Sequence, residues 1–408
     1  MQKKTILALA AGTAFAAPVF AQTTGSTIEI YGRLYPQVTS VEATGATDPA
    51  DNEARRLSVD TSNSRIGFRG QEQLGGGMSA IWQLETRVRF DSGAGNVWAG
   101  NRDSFLGLRG NWGTVRFGNF DTVYKSYGAA VGNFFGISSG NFVSSSNVLS
   151  ELGVSGGGGE DGDGRTGQGN ATGFHIRAAN SIHYETPEFG GFQAGVQYSP
   201  DERKGNPTRS TASIHAPVSG INAELWSTGV KYEAGPVYAS LQYERHNDWF
   251  DAAANFFGPN TLPSTDSRDQ AYRLSGKFAV TPNHRLTGDV AHMEWKESGP
   301  ATFEYKRNTW AVGWEANWGG PWRTEITYTN ADKGSCSTNL LVTCPTDGLE
   351  GKQIAAGVGY AFSKRTLVYA IGAKLTNGTN AAFNNTAELD VNLGADTKQF
   401  AIGMSPSV

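Results

Sequence analysis

Apolar and polar side chains alternate at every second residue through most of this chain, from residue 27 onward. Between residues 309 and 318 one parity is apolar and the other polar: Trp310, Val312, Trp314, Ala316 and Trp318 against Thr309, Glu315 and Asn317. Because successive side chains of a β-strand point to opposite faces, this period predicts strands with one apolar and one polar face. The 53 glycines are typical of an all-β chain with many turns.

The alternation predicts sixteen strands, with ends placed to within about 2–4 residues. They lie near 27–39, 59–70, 78–90, 102–110, 113–118, 179–187, 192–199, 223–233, 237–247, 269–279, 286–296, 306–317, 322–330, 352–362, 366–376 and 397–405. Tight turns between them alternate with longer polar loops at 40–58, 91–101, 119–178, 200–222, 248–268, 297–305, 331–351 and 377–396. This alternation is typical of an up-and-down barrel with short periplasmic turns and long extracellular loops.

A soluble sandwich of two sheets would show the same period, with its apolar faces buried. Two observations favour a barrel instead. Aromatic residues crowd the strand ends, as they do in interface girdles: Trp310, Trp318, Trp322, Phe362, Tyr369 and Phe400. The polar parity also carries many charges, which a water-filled lumen tolerates and a sandwich core does not. The predicted fold class is therefore all-β, a 16-stranded antiparallel up-and-down transmembrane β-barrel.

Residues 1–21 have the pattern of a secretory signal peptide. A basic start precedes an apolar run from Ile6 to Phe20, and a small residue precedes Gln22. The alternative, an N-terminal membrane anchor, needs roughly 20 apolar residues, and this run is shorter. We therefore expect an exported chain in which residues 22–408 form the barrel.

Cys336 and Cys344 are the only cysteines. In an exported chain a disulfide closing this short loop is favoured over a metal site, because the neighbouring serines and threonines are poor ligands. The acidic, glycine-rich stretch 159–164 offers oxygens for calcium, but Thr172 stands where an EF-hand has its glutamate, so a flexible loop tip is favoured. We expect no metal and no cofactor, and the net charge of −4 gives no indication of a nucleic-acid partner.

Arginines recur on the polar parity of the first five predicted strands: Arg33, Arg65, Arg69, Arg87, Arg89, Arg109 and Arg116, against Glu29 and Glu85. Because arginine stays charged, such a ladder would keep a positive potential along one wall. Loop 119–178 carries acids to face it: Asp121, Glu151, Glu160, Asp161 and Asp163. The two together would set a transverse field and an ionic selectivity. The alternative is that individual arginines only pair with acids and fill volume.

The chain resembles the β-proteobacterial and neisserial general-diffusion porins over nearly the whole predicted mature region. The matching stretches are SRIGFRG at 64–70, LGGG at 74–77, AIWQLE at 80–85, GTVRFG at 113–118, NSIHY at 180–184, PEFGGF at 187–192 and SKRT at 363–366. The resemblance implies a homotrimer with one pore per subunit, narrowed by an inward-folded third loop, the constriction loop 119–178. It also implies a weak anion preference, carried by Arg33, Arg65, Arg87 and Arg116, although the negative net charge and the acidic loop argue for the opposite sign.

The sequence departs from this family at two positions. It ends at Val408, where family members usually end in an aromatic residue, and it has Asn119 where they often have a basic residue.

These observations predict a porin in the outer membrane of a Gram-negative bacterium. It would let small hydrophilic solutes and ions diffuse passively, in contact with outer-membrane lipid and lipopolysaccharide. One alternative is a substrate-selective channel with a binding track of Tyr31 and Tyr35, and another is a surface adhesin or structural barrel. We do not expect an enzyme, because the six histidines form no HExxH motif and show no clustered metal-ligand spacing.

Overall fold

The computed structural model of the protein describes residues 25–91, 98–128, 134, 141–154, 173–200, 224–248, 266–298, 302–340, 343–386 and 388–407. The predicted signal peptide, 1–21, and the acidic stretch 159–164 lie outside the described residues. The helices within these ranges are all too short, or too polar, to cross a membrane.

Strands dominate the described chain. In order they are β1 (Thr27–Arg33), β2 (Gln37–Thr44), β3 (Glu53–Asp60), β4 (Arg65–Gly75), β5 (Met78–Val88), β6 (Trp98–Asn101), β7 (Ser104–Gly110), β8 (Gly113–Asp121), β9 (Arg177–Glu185), β10 (Phe192–Ser199), β11 (Glu224–Ala234), β12 (Val237–Asn247), β13 (Asp266–Thr281), β14 (His284–Ser298), β15 (Phe303–Asn317), β16 (Trp322–Ala331), β17 (Ser335–Thr338), β18 (Gly351–Ala361), β19 (Thr366–Asn377) and β20 (Asp396–Pro406). Two short helices, α1 (Val123–Tyr127) and α2 (Ser146–Leu149), follow β8, and a 3-10 turn (Pro49–Asp51) precedes β3.

The strands form one antiparallel sheet that closes on itself. Strands that are adjacent around the barrel pair antiparallel, and the last strand, β20, pairs back onto β2, with Val38 opposite Ile402. The Leu34 amide also donates to the Pro406 carbonyl at 3.1 Å. A closed sheet leaves no edge of unpaired backbone groups, which is the condition for a sheet to cross lipid. The predicted all-β, antiparallel barrel class is confirmed.

Some passages of the sheet are interrupted. β1 and β2 are separated at Leu34–Pro36, where Pro36 has no amide hydrogen to donate. β1 pairs with β4, and β2 pairs with β3, the strand before β4 in the chain. A passage here means one crossing of the barrel wall. Three pairs of strands each make one passage, and β17 is part of a loop; the pairs are β1 with β2, β3 with β4, and β6 with β7. Counted in this way, sixteen passages remain among the described residues. The strand number stays a prediction, because it depends on this grouping.

Two predicted loops contain more strand than the sequence indicated. Pairing continues to Thr44 and resumes at Glu53, so the predicted loop 40–58 is much shorter. In the predicted loop 331–351, the strand β17 pairs with β15. In the extension of β2 the apolar residues Val41 and Ala43 are buried, on the parity opposite to the exposed Val38, so a pattern that follows lipid-facing apolar residues ends before them.

The two faces of the sheet have the parity that the sequence predicts. Across β13, β14 and β15, Leu274 lies opposite Val290, and Val290 opposite Trp310. All three side chains are exposed, whereas the intervening Ser275 and Asp289 are buried. Exposed apolar rows on one parity are the surface expected to contact lipid.

Cys336 and Cys344 form the predicted disulfide, with their Cα atoms 5.8 Å apart. It closes the segment after β17, and Cys336 lies opposite Tyr305 of β15. Both cysteines pack against a buried cluster that contains Tyr305 and Phe303. The disulfide therefore closes a segment of the 331–351 loop that packs against the wall of the barrel.

The lipid-facing assignment of Val290 predicts that Val290→Lys lowers the free energy of unfolding by about 1–2 kcal/mol, between the losses for a basic residue at the interface and at the bilayer midplane. Urea unfolding of the protein folded into lipid vesicles measures this difference. Val290→Ala, which adds no charge, is the matched control and should lose much less. Equal urea midpoints for the two variants would contradict the assignment.

Candidate functional site

The chain after β8 turns into α1 and lies against the wall formed by β11 and β12. Thr122 caps this helix, because its hydroxyl accepts from the Lys125 amide at 3.3 Å. The Tyr124 amide donates to the Ser227 hydroxyl at 2.9 Å, and the Tyr127 carbonyl accepts from the hydroxyls of Tyr238 at 2.5 Å and Ser240 at 2.9 Å.

Glycines in the wall leave room for this helix, because they have no side chain. A Cβ added at Gly195 would lie 3.0 Å from the Tyr127 hydroxyl, and one at Gly229 would lie 3.2 Å from the Tyr127 ring. Tyr127, a residue of loop 119–178, therefore packs closely against both glycines.

The second described part of loop 119–178, residues 141–154, lies against β15 and β18. The Thr309 hydroxyl donates to the Leu149 carbonyl at 2.8 Å, and an Arg307 Nη donates to the Leu152 carbonyl at 3.0 Å. These wall side chains, like Ser227 and Ser240, belong to the parity opposite to the exposed apolar rows. They supply partners for backbone groups that no regular secondary structure satisfies.

A second loop, 377–396, holds the first. Residues 381–386 are buried, and the Ala382 amide donates to the Gly153 carbonyl at 2.8 Å. The Asn385 side-chain amide donates to the Phe142 carbonyl at 3.1 Å. The Arg307 guanidinium lies 4.7 Å from the centre of the buried Phe383 ring. The wall and both loops therefore meet at Arg307 and Phe383.

An aromatic cluster fixes the two ends of loop 119–178 to β12, β14 and β15. Phe174 stacks on His246, with ring centres 4.9 Å apart, and Trp295 stacks on Tyr305 at 5.7 Å. Tyr124 belongs to the same buried cluster. This explains why β14 carries apolar residues on both parities: Val290 faces outward, whereas Trp295 packs beneath the loop.

Three of the predicted arginines form a row across adjacent strands. Arg33 of β1 lies directly opposite Arg65 of β4, and Arg65 lies directly opposite Arg87 of β5. Arg87 is buried, and its guanidinium donates to the Ser62 carbonyl at 2.8 Å. Arg89 follows two residues later on the same parity. Like charges directly opposite each other destabilise a sheet, so the row is not explained by strand pairing.

Of the other predicted arginines, Arg69 and Arg116 contact individual partners, and Arg109 is exposed. Arg69 is exposed and binds Glu29 at 2.8 Å, and Arg109 is exposed one residue from the end of β7. Arg116 contacts the His183 Nδ1 at 3.1 Å. For Arg69 and Arg116, pairing with neighbours accounts for part of the contacts. This agrees with the alternative that individual arginines of the set only pair with other side chains and fill volume.

Two of the predicted loop acids, Asp121 and Glu151, lie within the described residues, and Asp121 pairs with cations outside the arginine row. Asp121 binds the Arg177 guanidinium at 2.7 Å and Lys125 at 3.5 Å. Glu151 is buried beside Gly173, where an added Cβ would lie 2.8 Å from a carboxylate oxygen. Glu160, Asp161 and Asp163 lie outside the described residues.

Sequence analysis missed a compact ion-pair network next to the row. Arg177 binds Asp103 at 2.6 Å as well as Asp121, and Arg102 binds Glu85, which lies 3.9 Å from Arg65. Arg102 and Asp103 interrupt a strand, and Arg177 begins one. The only sequence signal was their position at predicted strand ends. No cluster of three or more metal-binding side chains occurs within the residues that the structure describes.

The fold and this site define a transmembrane β-barrel with loops packed against its inner wall. A family model for the Gram-negative porins matches residues 6–380, and the chain belongs to that family. It is therefore an outer-membrane channel protein and not an enzyme.

Relatives and solved structures agree with this assignment. Major outer membrane protein P.IB of Neisseria lactamica is 28% identical over 93% of this chain and 95% of its own length. Major outer membrane protein P.IA of Neisseria meningitidis serogroup B is 27% identical over 86% and 88%. The fold resembles the anion-selective porin from Comamonas acidovorans, with a TM-score of 0.62 at 22% identity over 94% of this chain and all of that chain. It also resembles OmpF of Salmonella typhi, with a TM-score of 0.58 at 16% identity over 94% and 98%.

The contact of Phe383 with Arg307 predicts that Phe383→Ala loosens loop 119–178. We expect larger current fluctuations in single-channel recordings and a loss of about 3–5 kcal/mol of folding free energy, as for truncation of a buried phenylalanine. The matched control is Phe362→Ala, since Phe362 is 69% exposed at the other end of the barrel. If both variants gave quiet currents like the parent protein, this anchoring role would be wrong.

His175 predicts a pH dependence. Burial, reinforced by Lys125 and Arg273, holds its pKa well below 6.5, so it stays neutral in the folded protein. Below pH 6.5 the unfolded chain binds a proton that the folded chain does not, so stability falls by about 1.4 kcal/mol per pH unit from this group. His175→Gln should therefore show a smaller drop in urea midpoint between pH 7.5 and 5.5. An unchanged drop would show that another group is responsible.

Proposed function

We propose that this porin lets small hydrophilic solutes diffuse through a bore narrowed by loop 119–178, which is folded inward, and lined by the arginine row, with a preference for anions. The observation that carries the proposal is the direct register of Arg33, Arg65 and Arg87 on adjacent strands. They lie on the parity opposite to the exposed Ile30, Phe68 and Leu84.

The charge of this row persists at any physiological pH, because guanidinium groups do not deprotonate there. A fixed positive strip beside low-dielectric protein raises the local concentration of anions. The nearby Glu85 reduces the field, but it is shared between Arg102 and Arg65.

The inward course of loop 119–178 is supported by its contacts. Hydroxyl, amide and guanidinium groups of β11, β12, β15 and β18 bind its backbone from the parity opposite to the lipid-facing one. A loop held in this way would cover the wall opposite the arginine row and leave the bore between them.

A substrate-selective channel with a tyrosine track is less well supported. Tyr35 is completely buried, and the Tyr31 hydroxyl donates to Glu85 at 3.0 Å. Neither ring is free to stack on a passing solute.

We further propose that the protein assembles as a homotrimer in contact with outer-membrane lipid and lipopolysaccharide, after removal of the signal peptide 1–21.

The selectivity is tested by the double variant Arg33→Gln, Arg65→Gln. We expect the reversal potential in a salt gradient to move toward the cation side, with single-channel conductance retained, because two fixed positive charges leave the bore. Recordings in planar bilayers measure both quantities.

The matched control is Lys352→Gln, Lys374→Gln, which removes two charges from exposed positions on the outward parity of β18 and β19. It should leave the reversal potential near that of the parent protein. A parent protein that shows no step-like current would contradict diffusion itself. Equal shifts for both variants would contradict the role of the row.

A further inference from the structure

The outward face of β12–β15 changes composition in steps toward the long loops. Leu241, Leu274, Val290 and Trp310 form an apolar row across the four strands. One outward position higher lies a row of Tyr243, Tyr272, His292 and Asn308. Above it come two charged rows: Arg245, Gln270, Glu294 and Lys306, then Asn247, Arg268, Lys296 and Glu304. We call these two rows the basic patch.

The basic patch has more positive than negative charge. It holds four basic side chains and two acids, a formal charge of +2. Arg268 lies directly opposite Lys296, a like-charge pair that destabilises a sheet unless an anion neutralises it. Glu304 is shared between Lys296, at 3.5 Å, and Lys306, at 2.9 Å. Arg268, Lys296 and Lys306 are all exposed.

The height of the patch matches a lipid headgroup. The outward positions of β13 from Leu274 toward the turn stay apolar, with Phe278 and Val280 both exposed. On the other side of this apolar row, from Tyr272 to Arg268 is four residues, roughly 13 Å along a strand and about 10 Å along the membrane normal for a strand tilted by about 40°. Tyr243 and Tyr272, whose rings are 4.9 Å apart, lie between the apolar and charged rows, where aromatic residues mark the interface.

We infer that the basic patch binds the phosphate groups of lipopolysaccharide in the outer leaflet. Guanidinium and ammonium groups bind phosphate oxygens through charge-assisted hydrogen bonds, and Arg268 offers a bidentate donor. The patch lies at the end of the barrel that carries the long loops, which is the extracellular end. The inference deepens the lipopolysaccharide contact proposed above and does not depend on the arginine row.

The experiment titrates the purified full-length protein in detergent with bisphosphorylated lipid A, with lipid A stripped of both phosphates, and with phosphatidylglycerol. We expect the parent protein to prefer the bisphosphorylated lipid A. The variant Arg268→Gln, Lys296→Gln should bind it about tenfold more weakly, equivalent to about 1.4 kcal/mol. The control Lys364→Gln, Arg365→Gln removes the same charge from the exposed turn between β18 and β19, at the end of the barrel away from these rows, and should bind as the parent does.

The inference is overturned if the phosphate-free lipid A or phosphatidylglycerol binds as tightly as the bisphosphorylated form, or if both double variants bind equally. Channel conductance in bilayers without lipopolysaccharide should be unchanged in the variant, so that a loss of binding is separated from a failure of the pore. If that variant does not fold, Arg268→Lys, Lys296→Arg keeps both charges and should retain binding; loss of binding in this folded variant also overturns the inference.

Discussion

The pairing of β2 with β20 is the constraint on which the rest of the molecule depends. In lipid, an unpaired backbone amide or carbonyl has no water to bind, so a sheet can cross the membrane only when it has no open edge. Once the sheet is closed, each side chain must face either the lipid or the interior. That division gives the exposed apolar rows on one parity and the buried polar groups on the other.

Closure also creates a problem inside the barrel. Loop 119–178 carries backbone groups without regular partners, and the wall supplies them: Thr309, Arg307 and Gln353 donate to its carbonyls. Loop 377–396 adds Asn385 and the buried ring of Phe383. The polar parity of the barrel is therefore used for two purposes, to hold loops on one wall and to present charge on another.

Like charges lie in register on both the inner and the outer surface of the barrel. The row of Arg33, Arg65 and Arg87 brings like charges into register, an arrangement that strand pairing alone would disfavour. On the outside, Arg268 and Lys296 repeat the same arrangement near the extracellular rim. In both places an anion offers the physical explanation, a passing solute in the proposed bore and a lipid phosphate in the proposed patch.

The sequence by itself determined the class of fold, the lipid-facing parity and the disulfide. The predicted bounds 192–199 and 237–247 match the structure, because the two-residue period and flanking turns are local properties of the chain. Only the tertiary structure decided which charges meet. Arg177 and Asp103 are 74 residues apart in sequence, and no local pattern relates them. The same holds for Phe383 against Arg307, because barrel closure brings distant segments together at distances that periodicity does not encode.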